Sequence, residues 1–86
     1  MPRVEIYTQD WCPFCTRAMA LLKAKGVAFE EIKAEAGTPE RAKARERAGG
    51  LTSVPQIFID GRHIGGCDAL MALDRSGRLD PLLRAA

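Results

Sequence analysis

Three cysteines stand in the chain, and two of them, Cys12 and Cys15, are spaced as a C-x-x-C pair within Cys12-Pro13-Phe14-Cys15. That spacing serves two kinds of chemistry. Two thiolates can form half of a tetrahedral zinc site, or one thiolate can attack an external disulfide while the second closes an internal one. Zinc would need two further ligands, and only His63 and Cys67 are on offer, at no customary metal-ligand spacing. No metal site is therefore expected.

The surrounding elements favour disulfide exchange. Val4-Glu5-Ile6-Tyr7-Thr8 alternates apolar and polar strand formers, and Gln9-Asp10-Trp11 reads as the loop that follows it. Pro13 fits the first turn of a helix, where its missing N–H costs nothing. Cys15, Ala18, Met19, Leu21 and Leu22 then recur at helical spacing as far as Lys25, and Gly26 is a natural stop. Cys12 thus falls at a helix N-terminus, where unpaired N–H groups and the helix dipole favour an anion and depress a thiol pKa. Cys15, one turn on, can reach Cys12 and suits the resolving role. Trp11 either shields the pair, meets a partner or packs on the loop.

Val27 to Lys33 reads as a second strand, which completes a βαβ unit and a parallel pair. Thr38-Pro39-Glu40 looks like an N-cap, a first-turn proline and an early acid, opening a helix to about Ala48 that has only alanines to bury. Its charged run, Glu40 to Arg47, reads as a solvated face or, less simply, a docking patch. Gln56-Ile57-Phe58-Ile59 and Arg62-His63-Ile64 flank Asp60-Gly61, a hairpin signal. Gly65-Gly66-Cys67-Asp68 leads into a last helix with Leu70, Met71 and Leu73, and Leu79 to Leu83 adds a turn over the core. The expectation is an α/β domain spanning 1–86, with a four-stranded mixed sheet, helices on both faces and the order β-α-β-α-β-β-α. That arrangement resembles the thioredoxin fold.

Bulk properties exclude several alternatives. A net charge of +2, with bases and acids interspersed, gives no footprint for nucleic acid. No apolar run approaches the roughly 18 residues needed to span a bilayer. Met1-Pro2-Arg3-Val4-Glu5 has no apolar signal core, so a cytoplasmic location is the expectation. An odd cysteine count argues against a secreted disulfide framework, and in a reducing compartment a close pair is expected to be catalytic or metal-binding rather than structural.

Tyr7-Thr8, Cys12-Pro13-Phe14-Cys15, Ser53-Val54-Pro55 and Gly65-Gly66-Cys67-Asp68, in this order, resemble the dithiol glutaredoxins, most closely those of the bacterial glutaredoxin 3 type. The likeness extends through Pro55 to Asp60 and into Leu79-Asp80-Pro81-Leu82-Leu83. It implies a glutathione-dependent thiol–disulfide oxidoreductase in which Cys12 attacks and Cys15 resolves. The resemblance also implies a cis Pro55 and a glutathione site of Phe14, Ser53, Val54, Pro55, Gly66, Cys67 and Asp68. Val54 would offer its backbone to the extended tripeptide, and the helix after Gly66 its N–H groups to the γ-glutamyl carboxylate. Asp68 would pair with the ligand's amino group, cap the helix, or both.

Glutathione is then a co-substrate and no bound cofactor is expected. Implied partners are glutathionylated or disulfide-containing proteins, ribonucleotide reductase among the candidates, with NADPH and glutathione reductase upstream and the chain acting as a monomer. Four departures stand out. Gln9 occupies a position where the family commonly has lysine, Ser53 one where threonine is common, Ala69 one where an acid often follows Asp68, and Phe14 one where tyrosine is more usual. Arg17 is a neighbouring cation on the first helix. Cys67 is expected to be an unreactive small residue or else a redox modulator, and His63 a solvent-facing strand residue. Two rivals remain at this level: a redoxin served by thioredoxin reductase, and a carrier that ligates an iron–sulfur cluster through Cys12 and glutathione.

Overall fold

A computed structural model describes residues 2–84; Met1 and residues 85–86, the ends of the expected domain, lie outside the described residues. Among the described residues a four-stranded sheet has the order β2-β1-β3-β4. Its strands are β1 (Val4–Thr8), β2 (Glu30–Lys33), β3 (Gln56–Ile59) and β4 (Arg62–Gly65). β1 runs parallel to β2 and antiparallel to β3, which pairs antiparallel with β4. The helices are α1 (Pro13–Ala24), α2 (Pro39–Arg47), α3 (Cys67–Arg75) and α4 (Leu79–Arg84). The fold is the expected thioredoxin-type mixed sheet with helices on both faces. The tail is longer in structure than one turn and forms a helix of its own. None of the described helices is long and apolar enough to cross a membrane.

Period-two alternation in the central strands builds two cores at once. Val4, Ile6, Ile57 and Ile59 point to one face, where Ala18 and Leu22 of α1, Cys67 and Leu70 of α3, and Leu79 and Leu83 of α4 close over them. Tyr7 and Phe58 point to the other face and pack with Ala34 and with Ala44 and Ala48 from the α2 region. Because both faces are covered, every residue of β1 is buried, including its polar members. The hairpin between β3 and β4 turns through Asp60 and Gly61, both at positive φ, as a two-residue primed turn requires.

Two expectations need correction. β2 begins at Glu30 rather than Val27, since its ladder with β1 opens at the Glu5–Glu30 pair. The Val27 N–H still bonds back to the Leu22 carbonyl at the end of α1, so the preceding residues wrap the helix terminus. Val27 and Phe29 are anchored by packing against the larger core instead.

The charged run of α2 is not uniformly solvated. Arg47 reaches across the sheet to Glu5, with Nη1–Oε2 and Nη2–Oε1 distances of 3.2 and 3.0 Å, and donates to the Tyr7 hydroxyl at 3.0 Å. Its guanidinium also lies 4.0 Å from the Phe58 ring centroid. A helix with only alanines to bury thereby gains an aromatic and ionic anchor.

Candidate active site

The site forms at one end of the sheet, where β1 gives way to the loop before α1. Cys12 is the N-cap of α1, in extended conformation, and Pro13 occupies the first turn as expected. The Cys15 N–H donates to Cys12 Sγ at 3.2 Å. A capping serine or aspartate would use its oxygen in the same way; here sulfur takes that place. The first turn of α1 carries no acid that would repel a negative sulfur. Cys12 and Cys15 are joined as a disulfide, with Cα atoms 5.2 Å apart. Their surroundings differ sharply: Cys15 is 1% exposed, whereas Cys12 is only partly buried.

The Val54–Pro55 peptide bond is cis, and the Val54 carbonyl oxygen lies 3.9 Å from Cys12 Sγ. Phe14, Ser53, Val54, Pro55, Gly66, Cys67 and Asp68, together with Ala69, line a single pocket of about 370 Å³. All seven residues expected around glutathione therefore converge. Arg17 lies over the Phe14 ring at 5.5 Å from its centroid, which fixes the direction of that cation.

α3 enters the site through its first turn. Its N-cap is Gly66, with no side-chain capping bond, so Asp68 does not cap the helix. Asp68 is exposed on the pocket wall and makes no ion pair among the described residues. The two glycines are held by internal contacts. A Cβ on Gly65, which has φ +121°, would stand 2.9 Å from the Ala69 Cβ, and one on Gly66 would stand 3.3 Å from the Pro55 carbonyl oxygen. Only Gly66 lines the pocket, so the glycine pair first permits α3 to approach the cis-proline loop. Cys67 is buried, and its burial pushes the thiol pKa up. The nearby Arg17 charge opposes that rise, and the Asp68 carboxylate adds to it.

Two residues that sequence reasoning passed over hold the site together. Arg41 of α2 donates to Gln9 Oε1 at 2.8 Å, to the Ala34 carbonyl at 3.0 Å and to the Thr52 carbonyl at 2.9 Å. It clamps the loop before Ser53 and brings a cation to Gln9, where the family commonly has lysine. Gln56, fully buried in β3, donates its amide to the Ser53 carbonyl at 3.0 Å and meets His63 Nε2 at 2.7 Å through its Oε1. The only signal for Gln56 was a polar residue opening an otherwise apolar strand. His63 is exposed, as expected, and stacks with Phe58 at a centroid distance of 5.1 Å.

Comparison with known proteins accords with this geometry. The family model described as glutaredoxin matches residues 4–64, which include the cysteine pair and the cis-proline segment. The chain belongs to the glutaredoxin family. It is 55% identical to glutaredoxin 3 of Escherichia coli (strain K12) over 84 residues, covering 98% of this chain and all of that protein. The solution structure of glutaredoxin from Brucella melitensis superposes with a TM-score of 0.85 at 51% identity, covering 98% of this chain and 90% of that one. A buckwheat glutaredoxin solved in complex with glutathione superposes with a TM-score of 0.84 at 29% identity, covering 95% of this chain and 76% of that one. This glutaredoxin is accordingly a thiol–disulfide oxidoreductase that acts with glutathione, through a dithiol centre at Cys12 and Cys15.

Proposed function

We propose that Cys12 is the attacking nucleophile, Cys15 the resolving thiol, and the pocket of Phe14, Ser53, Val54, Pro55, Gly66, Cys67 and Asp68 the glutathione site. The observation that carries this reading is the asymmetry of the pair. Cys12 Sγ caps α1 at the molecular surface and accepts the Cys15 N–H, while Cys15 is buried beneath it. A thiolate at Cys12 is stabilised by that N–H and by the helix terminus, and an external disulfide can reach it.

With a glutathione mixed disulfide, the Cys12 thiolate bonds to the glutathione sulfur and the S–S bond breaks. The other partner leaves as a thiolate that takes up a proton. A second glutathione, as thiolate, then attacks the Cys12–glutathione disulfide, giving oxidised glutathione and free Cys12. With a protein disulfide, Cys12 forms the mixed disulfide, and Cys15 displaces the protein thiol and closes the internal bond.

Val54 supports an extended tripeptide through its backbone beside Cys12, and the N-terminal turn of α3 supports the γ-glutamyl carboxylate. Asp68, having no capping task, supports the ligand's ammonium group. Arg41, held at Gln9, supports the anionic glycine end in place of the usual lysine. Electrons come from NADPH through glutathione reductase, since glutaredoxin potentials of about −200 to −230 mV match that couple. Substrates are glutathionylated or disulfide-bonded proteins, ribonucleotide reductase among them. The chain acts as a monomer in the cytoplasm, where a reducing poise keeps such pairs as dithiols.

Single substitutions test the assignment. Cys12→Ser abolishes both activities, and Cys15→Ser keeps deglutathionylation while losing reduction of protein disulfides. Equal loss of both activities in Cys15→Ser would overturn the division of roles.

A further inference from the structure

A second pocket of about 400 Å³ opens beside the disulfide, with Asp10, Trp11, Cys12, Cys15, Glu31 and Lys33 in its lining. It shares no residue with the pocket assigned to glutathione. The two lie on opposite flanks of β1, since Glu31 and Lys33 belong to β2 whereas Ser53 to Pro55 lead into β3. Cys12 is common ground: it lines the second pocket and approaches the first through the Val54 carbonyl.

Trp11 at the rim of this pocket is unusual in two respects. It is 97% exposed, and its φ of 57° puts a bulky residue in the left-handed region. Such conformations gather at functional sites, where the surroundings enforce them. Here the enforcement is visible. The preceding Asp10 is pinned by its N–H to Glu35 Oε2 at 2.8 Å and by its carboxylate to Lys33 Nζ at 2.8 Å. The loop is thus fixed so that the indole projects into solvent beside the reactive sulfur.

The charges around Trp11 indicate what it would meet. Asp10, Glu31 and Glu35 place three carboxylates there against two cations, Lys33, already engaged by Asp10 and Glu31, and Arg41, held at Gln9 on the pocket's edge. An exposed indole face within a net negative rim suits a cationic side chain, through cation–π attraction and ion pairing together. Glutathione, with two carboxylates and one ammonium group, is a poor match for the carboxylates around Trp11, which lie beyond the Gln9–Arg41 edge assigned to its glycine end.

We infer that Trp11 and the pocket beside it form the docking surface for protein substrates, receiving a segment that carries a basic residue next to its disulfide cysteine. This rests on the assignment of Cys12 as nucleophile and of the other pocket to glutathione. Trp11 then sets specificity between proteins and takes no part in turnover of small glutathione disulfides.

The test uses two substrate types: the mixed disulfide of glutathione with 2-mercaptoethanol, and two peptides closed by an internal disulfide that differ only in Lys or Glu beside the cysteine. The wild type should reduce the Lys peptide faster. Trp11→Ala should leave mixed-disulfide turnover within about twofold and lower kcat/KM for the Lys peptide about tenfold, as loss of an aromatic anchor does. The preference for Lys over Glu should shrink with it, and Trp11→Phe should restore most of the rate.

A direct readout is available because Trp11 is the chain's one tryptophan. In Cys15→Ser protein, trapping the Lys peptide on Cys12 should shift the emission to the blue, and trapping glutathione should not. Equal losses on both substrate types, no loss on the peptide, or emission unmoved by the peptide would each overturn the inference. A wild type inert toward the small mixed disulfide would overturn the glutathione assignment instead, which keeps the two failures distinct.

Discussion

Cys12 and Cys15 have identical side chains in unlike surroundings, one sulfur capping α1 at the surface and the other sealed beneath it, and the proposed division of roles rests on that difference. Cys67 illustrates the opposite environment: burial raises its pKa and so disfavours the thiolate, although it borders the same pocket. Among the residues proposed to bind glutathione, Asp68 is the sharpest to test. It occupies the first turn of α3 without capping it and lines the pocket as an exposed carboxylate. Asp68→Asn should raise KM for glutathione about tenfold, the loss of one charge-assisted hydrogen bond, with kcat little changed. Steady-state kinetics at varied glutathione would measure this, and an unchanged KM would remove Asp68 from the binding set. The cysteine pair, the cis proline and the convergence on one pocket were legible because short motifs carry them. Arg41 was not, since its three acceptors lie 7 to 32 residues away and nothing local distinguishes it from the solvated arginines of the same charged run.

At the scale of elements, α2 is held by Arg47 as well as by the buried Ala44 and Ala48. The hydrogen bonds from Arg47 hold Glu5 below the ordinary carboxyl value of 4.5, against the upward push of burial. A depressed folded-state pKa means that this contribution is present in full above the unfolded value. It is lost as pH falls through the lowered one. Arg47→Leu would leave the 6% exposed Glu5 carboxylate with only the longer ion pair to Arg3, at 3.5 Å, at a cost of about 2 kcal/mol near neutral pH. In that variant burial is opposed only by the charges of Arg3 and Lys43, so acidification costs it less than the wild type, which loses the Arg47 bonds as Glu5 protonates. Denaturant unfolding should therefore show the gap between wild type and Arg47→Leu narrowing from about pH 7 to about pH 3. A constant gap would show that Arg47 acts only through packing on Phe58. Strand β1, helix α1 and the Asp60-Gly61 hairpin could be read from periodicity and turn chemistry, which are local. The shortened β2 and the Glu5–Arg47 anchor could not, because both are settled by partners more than 20 residues distant.

For the whole molecule, function follows from what the fold gathers at one end of the sheet. The end of β1, the N-termini of α1 and α3 and the cis-proline loop meet around Cys12, leaving a pocket on each flank of β1. One flank carries Asp68 and Arg17, and the other carries Trp11 within a rim of carboxylates. A single nucleophile between two unlike surfaces can serve glutathione and protein disulfides in turn. That scheme requires Cys12 to be a thiolate at working pH without a lysine at position 9, so that the helix terminus and the Cys15 N–H must supply the activation. The most direct measurement is the pH dependence of Cys12 alkylation in reduced Cys15→Ser protein, with and without the unreactive analogue S-methylglutathione. The expected midpoint lies at least about one unit below the free-cysteine value of roughly 8.5, with the rate lowered by the analogue. A midpoint at or above that value, or a rate indifferent to the analogue, would contradict a helix-activated Cys12 beside a glutathione pocket.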